Sequence, residues 1–74
     1  MFETLKDIYY ETTGNYNLEL NPKMRLDSDL GLSSYGKIQL ISAIEDHFDI
    51  EIPNKTLRRM KTVSDLIKYL ENNV

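Results

Sequence analysis

Apolar positions recur at helical spacing in separate stretches of this chain. Phe2, Leu5, Ile8 and Tyr9 make the first stretch, and Gly14 followed by Asn15 supplies its stop, which predicts a helix over residues 2–13. From Gly14 to Ser33 the periodicity breaks up around Asn15, Asn17, Asn21, Pro22, Asp27, Ser28, Asp29 and Gly31. Leu18, Leu20, Met24, Leu26 and Leu30 are spaced through that segment to pin it down, which predicts a long but anchored loop. From Ser34 to Phe48 the pattern is helical again, with Leu40, Ile41, Ile44 and Phe48 inside one core-facing arc of about 100°. Pro53 closes the next loop, and Leu57 and Met60 suggest a short helix with Asn54 as its cap. Thr62-Val63-Ser64-Asp65 has the form of a capping box with Asp in place of Glu, opening a last helix with an apolar stripe of Val63, Leu66, Ile67 and Leu70. No strand pattern or repeat interrupts this order. The expected fold is all-α: a small four-helix bundle of three main helices and one short one, with a long first loop, in a single domain over residues 1–74.

Composition narrows the chemistry. A hydrophobic fraction of 41% with 28% charged residues suits a folded soluble chain rather than a disordered one. Nine Lys and Arg against twelve Asp and Glu give a net charge of -3, the wrong sign for wrapping nucleic acid. The absence of Cys excludes disulfides, thiolate metal sites and a nucleophilic thiol of the chain's own. Met1 runs directly into polar residues and no long apolar run follows, so neither export nor membrane spanning is expected, and a cytoplasmic monomer is.

Three apparent motifs fail on geometry or spacing. Ser34 and His47 lie thirteen residues apart on one helix, about 20 Å along its axis, and cannot share a proton. No second His exists to build a metal site, and no catalytic residue is assigned. Asp27-Ser28-Asp29-Leu30-Gly31 faintly follows a calcium loop, yet Gly falls one position early and Ile38 stands where a bidentate Glu is required. Lys55, Arg58, Arg59 and Lys61 form a basic cluster that reads as a solvated helix face.

What survives is Asp29-Leu30-Gly31-Leu32-Ser33-Ser34-Tyr35, placed where the long loop becomes the second helix. The stretch resembles the D-L-G-x-D-S-L signature of the acyl carrier protein family. The likeness continues through Ile44–Pro53 and Thr62–Leu70 at the usual separations. The resemblance implies that Ser34 receives 4'-phosphopantetheine from coenzyme A, and that acyl groups travel on the arm's terminal thiol. A helix N-terminus suits the anionic phosphodiester, Gly31 would let another backbone approach closely, and either Ser33 or Ser34 can act as the helix cap.

The implied partners are a phosphopantetheinyl transferase and the enzymes that load, elongate or release the acyl group; the carrier itself is not an enzyme. Tyr35, Ile38, Glu45 and Asp46 fall outside the core arc and make the expected docking face. Lys37, three residues beyond Ser34, is the expected phosphate contact, although it also falls within the core-facing arc. Ser33 stands where the family usually has Asp, Tyr35 where it has Leu, and Gly36 and Gln39 at positions often acidic. These departures leave open fatty acid, polyketide or specialised pathways, a peptidyl, aminoacyl or D-alanyl carrier, and an interaction module that is never modified.

Overall fold

Each helix boundary in the computed structural model, which describes residues 1–74, has a local chemical cause. Helix α1 (Phe2–Thr13) stops where Gly14 adopts the left-handed conformation at φ 69° and returns its N–H to the Tyr10 carbonyl. Helix α2 (Ser34–Phe48) starts after Ser33, whose hydroxyl accepts a hydrogen bond from the Gly36 N–H, and ends at Asp49 in the left-handed region. Helix α3 (Asn54–Arg59) is capped by Pro53, so Asn54 is its first helical residue rather than its cap. The ring of Pro53 already holds φ at -61°, and no side chain caps this short helix. Helix α4 (Val63–Asn73) opens with the expected capping box: Thr62 Oγ1 accepts from the Asp65 N–H, and the Asp65 carboxylate accepts from the Thr62 N–H.

The elements close into the all-α bundle that the spacing predicts. Its core is wholly apolar. Leu5, Ile8 and Tyr9 of α1 meet Leu40, Ile41 and Ile44 of α2 and Val63, Leu66 and Leu70 of α4. Phe48 and Ile67 pack against this cluster half-buried. Five further core residues come from outside the helices or at their edges: Leu20, Leu26, Leu30, Ile52 and Met60. The first loop therefore contributes to the core instead of merely crossing the surface.

Polar bonds complete that anchoring. Leu26 N–H donates to the Lys61 carbonyl and Val63 N–H to the Met24 carbonyl, forming one antiparallel bridge between Arg25 and Thr62. Ser64 N–H donates to the Pro22 carbonyl, so the loop is tied to the start of α4. The Tyr10 hydroxyl donates to the Leu18 carbonyl at 2.7 Å. Arg25 and Asp27 form an exposed ion pair, and this guanidinium holds the Asp27 carboxyl below its ordinary range. The Asp29 carboxylate accepts from the Arg25 N–H. Both acids of the faint calcium motif thus have partners within the loop.

Candidate functional site

The loop delivers its last residues to α2 in a fixed conformation. Leu30 is buried, and its carbonyl accepts a hydrogen bond from the Tyr9 hydroxyl at 2.9 Å. Gly31 follows at φ 66°, a backbone conformation that L side chains rarely adopt. A Cβ at this position would meet nothing within 4 Å, so this glycine is required by its dihedral angle and not by an approaching segment of the same chain.

Two adjacent serines then divide the work at the helix start. Ser33 is the cap: its backbone is extended, and its Oγ lies 3.1 Å from the Gly36 nitrogen. Ser34 is the first helical residue, exposed, with its hydroxyl left out of the cap. The first intrahelical bond at this end is Lys37 N–H to the Ser33 carbonyl. The N–H groups of Ser34 and Tyr35 therefore lie ahead of the helical ladder, at the positive end of the α2 dipole.

The other expected site residues fall around this point. Tyr35 and Ile38 are 69% and 62% exposed, too open for core residues on a helix whose opposite face is buried. Lys37 is half-buried and lines an open groove with Ser34, Ile38, Asn54, Leu57 and Arg58. Asp46 is exposed near the far end of α2. Glu45 has a different employment: its carboxylate accepts from the Ile52 N–H at 2.7 Å, holding the α2–α3 loop while Ile52 enters the core. One of its oxygens is thus committed inside the chain. Helical spacing carries no sign of that bond, which links residues seven apart across a turn.

The chain is thus a small four-helix bundle with an exposed serine at the start of α2. Comparison with known proteins gives its class. The chain matches the family described as "Phosphopantetheine attachment site" over residues 3–70. It is 35% identical over 72 residues to an acyl carrier protein of Helicobacter hepaticus, covering 97% of this chain and 95% of that one. Its fold is similar to that of a candidate acyl carrier protein from Mycobacterium tuberculosis, with a TM-score of 0.81, 28% identity and coverage of 93% and 92% of the two chains. The chain belongs to the acyl carrier protein family, and its role is that of a phosphopantetheine-bearing acyl carrier. Members of this family serve acyl-handling enzymes and are served by a transferase; they carry rather than catalyse. No helix is long and apolar enough to cross a membrane.

The residues at the α2 start fit the prosthetic group. A free primary hydroxyl is what a phosphodiester bond requires. Two N–H groups ahead of the ladder and the nearby cations Lys37 and Arg58 suit the anion that such a bond creates.

Proposed function

We propose that Ser34 is the attachment residue and that residues 1–74 form one carrier domain, working as a monomer in the cytoplasm. The observation that carries the assignment is the division between the two serines. Ser33 Oγ is bound to the Gly36 N–H and is engaged in holding the helix start, whereas the exposed Ser34 hydroxyl holds nothing. A nucleophile must be free to approach its electrophile in line, and Ser34 meets that condition.

In the modification, the Ser34 oxygen forms a bond to the β-phosphorus of coenzyme A. The phosphoanhydride bond breaks and adenosine 3',5'-bisphosphate leaves, while the hydroxyl proton passes to the transferase. The carrier supplies the nucleophile and the surface on which the transferase docks. When bound, the group supplies the terminal thiol on which acyl groups travel as thioesters, a thiol that this Cys-free chain lacks. The α2 N-terminus then favours the charge at the attachment point, and Lys37 stands one turn further along, lining the same groove. Tyr35 and Ile38 offer apolar contact beside the arm, and Asp46 offers charge to a basic partner surface. Glu45 contributes to that face only through the oxygen not held by Ile52.

Trypsin cuts after Arg25 and Lys37, so digestion of the modified protein releases Leu26–Lys37 with Ser33 and Ser34 on one peptide, together with Ser28. Fragmentation of that peptide is expected to place the added group on Ser34. Assignment to Ser33 would overturn the division of roles between the two serines.

A further inference from the structure

The surface around α3 joins exposed apolar side chains to charge of a single sign. Tyr35 and Ile38 are exposed on α2, and Ile38 and Leu57 line the open groove beside Ser34. The aliphatic stems of Lys37 and Arg58 line it too, and the groove presents more apolar surface than polar. Cations rim this strip: Lys55 and Arg58 share a face of α3, and Lys61 follows it, all three exposed. None of them forms an ion pair; the two in the chain are Lys6–Glu3 and Arg25–Asp27. Residues 53–62 hold four cations and no acid in a chain whose net charge is -3. Asp27 stands at the edge of this surface, but Arg25 holds its carboxylate. The exposed acids Asp46, Asp49 and Glu51 lie at the far end of α2 and in the loop after it, beginning about 18 Å along the axis from Ser34.

From these observations we infer that α3 docks an acyl-handling enzyme through an acidic patch on that enzyme, with carboxylates set against Lys55, Arg58 and Lys61 around an apolar seat for Tyr35, Ile38 and Leu57. This deepens the carrier assignment and rests on it. Cations that no acid of their own chain satisfies keep their field for a partner, and opposite charge on the partner steers the encounter. The apolar strip supplies the dry centre of such a contact and the cations its polar rim. A nucleic acid strand or an anionic bilayer fits less well, because it is anionic throughout and would also press on Asp46, Asp49 and Glu51. A protein can set acids against α3 and bases against the far end of α2. This alternation of sign fixes which way round the partner sits, and so the direction from which it meets Ser34.

The test uses matched surfaces. Two amphipathic helical peptides share one leucine face and carry a polar face of Glu or of Gln, and each is titrated into isotopically labelled protein. The Glu peptide is expected to bind about tenfold more tightly than the Gln peptide at low salt, an advantage that shrinks as salt is added. It should shift the backbone amides of Tyr35–Ile38 and Lys55–Lys61. Lys55→Gln combined with Arg58→Gln should erase the advantage, whereas Lys6→Gln combined with Lys68→Gln, which removes as much charge elsewhere, should keep it. Equal affinity for the two peptides would overturn the inference, as would shifts spread over α1 and α4, or the same loss in both double variants. Tighter binding to phosphatidylglycerol vesicles or to oligouridylate than to the Glu peptide would overturn it in favour of an extended polyanion. Loading is read separately, by intact mass after incubation with a transferase and coenzyme A. A chain that binds the Glu peptide through Lys55 and Arg58 but takes no phosphopantetheine would overturn the carrier assignment while supporting an acidic partner surface at α3.

Discussion

The Tyr9 hydroxyl of α1 donates a hydrogen bond to the Leu30 carbonyl at 2.9 Å, joining residues 21 apart in sequence inside the buried core. That bond fixes the end of the first loop immediately before Gly31 and the serine pair. Tyr9 is 1% exposed and Leu30 2%, so no water replaces the donor when it is removed. Tyr9→Phe keeps the ring and leaves the carbonyl unpaired, and is expected to cost about 1–3 kcal/mol. Denaturant unfolding checks the figure. An unchanged midpoint would show that the loop end is held by packing alone.

Gly31 makes a second demand on the same turn. With φ at 66° and nothing within 4 Å of the place an added Cβ would take, the cost of Gly31→Ala is conformational and not steric crowding. A loss of roughly 1–2 kcal/mol is expected. Gly31→Asn should lose less, because Asn tolerates the left-handed region better. Thermal unfolding of the pair gives the comparison. Equal losses would mean that the turn relaxes to another conformation.

Much of this architecture is legible in the chain. The limits of α1 and α2 follow from apolar spacing, from Gly14, and from the serines before Tyr35; the box at Thr62–Asp65 follows from residue type. The misplacement of the α3 cap by one residue has a simple cause, since Pro53 with its fixed φ serves as well as Asn54. Other features are not legible. The burial of Ile52, the Glu45–Ile52 bond and the Tyr9–Leu30 bond depend on how the loops fold back, which no helical period encodes. The division of Ser33 from Ser34 rests on the direction of one hydroxyl, which residue type leaves open.

Asp65 links the α4 cap to pH. Its carboxylate accepts from the N–H groups of Lys61 at 2.9 Å and Thr62 at 3.2 Å, and these bonds, led by the one from Lys61, hold its pKa below the ordinary value. A lowered native pKa means that the unfolded chain binds the proton more readily. The stabilisation is therefore complete above the unfolded pKa, about 4, and is lost as pH falls through the lower native value. Melting temperature should decline on acidification below about pH 4 in the wild type and less steeply in Asp65→Asn. Parallel curves would show that the box contributes nothing titratable.

Lys37 stands three residues beyond Ser34 and lines the same groove. Once the phosphodiester is attached, its ammonium gains an anionic neighbour at the protein surface, worth at most about 1 kcal/mol. The melting-temperature difference between modified and unmodified protein should narrow in Lys37→Ala and narrow further in Lys37→Glu. The same difference in all three proteins would remove Lys37 from the phosphate contact.

In the proposed carrier, Ser33 holds the helix while Ser34 carries the group. Intact mass after incubation with a broad-specificity transferase and coenzyme A tests it on the wild type, Ser33→Ala and Ser34→Ala. The wild type and Ser33→Ala should each gain one phosphopantetheine, with Ser33→Ala less stable by about 1 kcal/mol through loss of its cap. Ser34→Ala should gain none while keeping the helical spectrum of the wild type. A gain in Ser34→Ala, or none in a folded Ser33→Ala, would contradict the assignment.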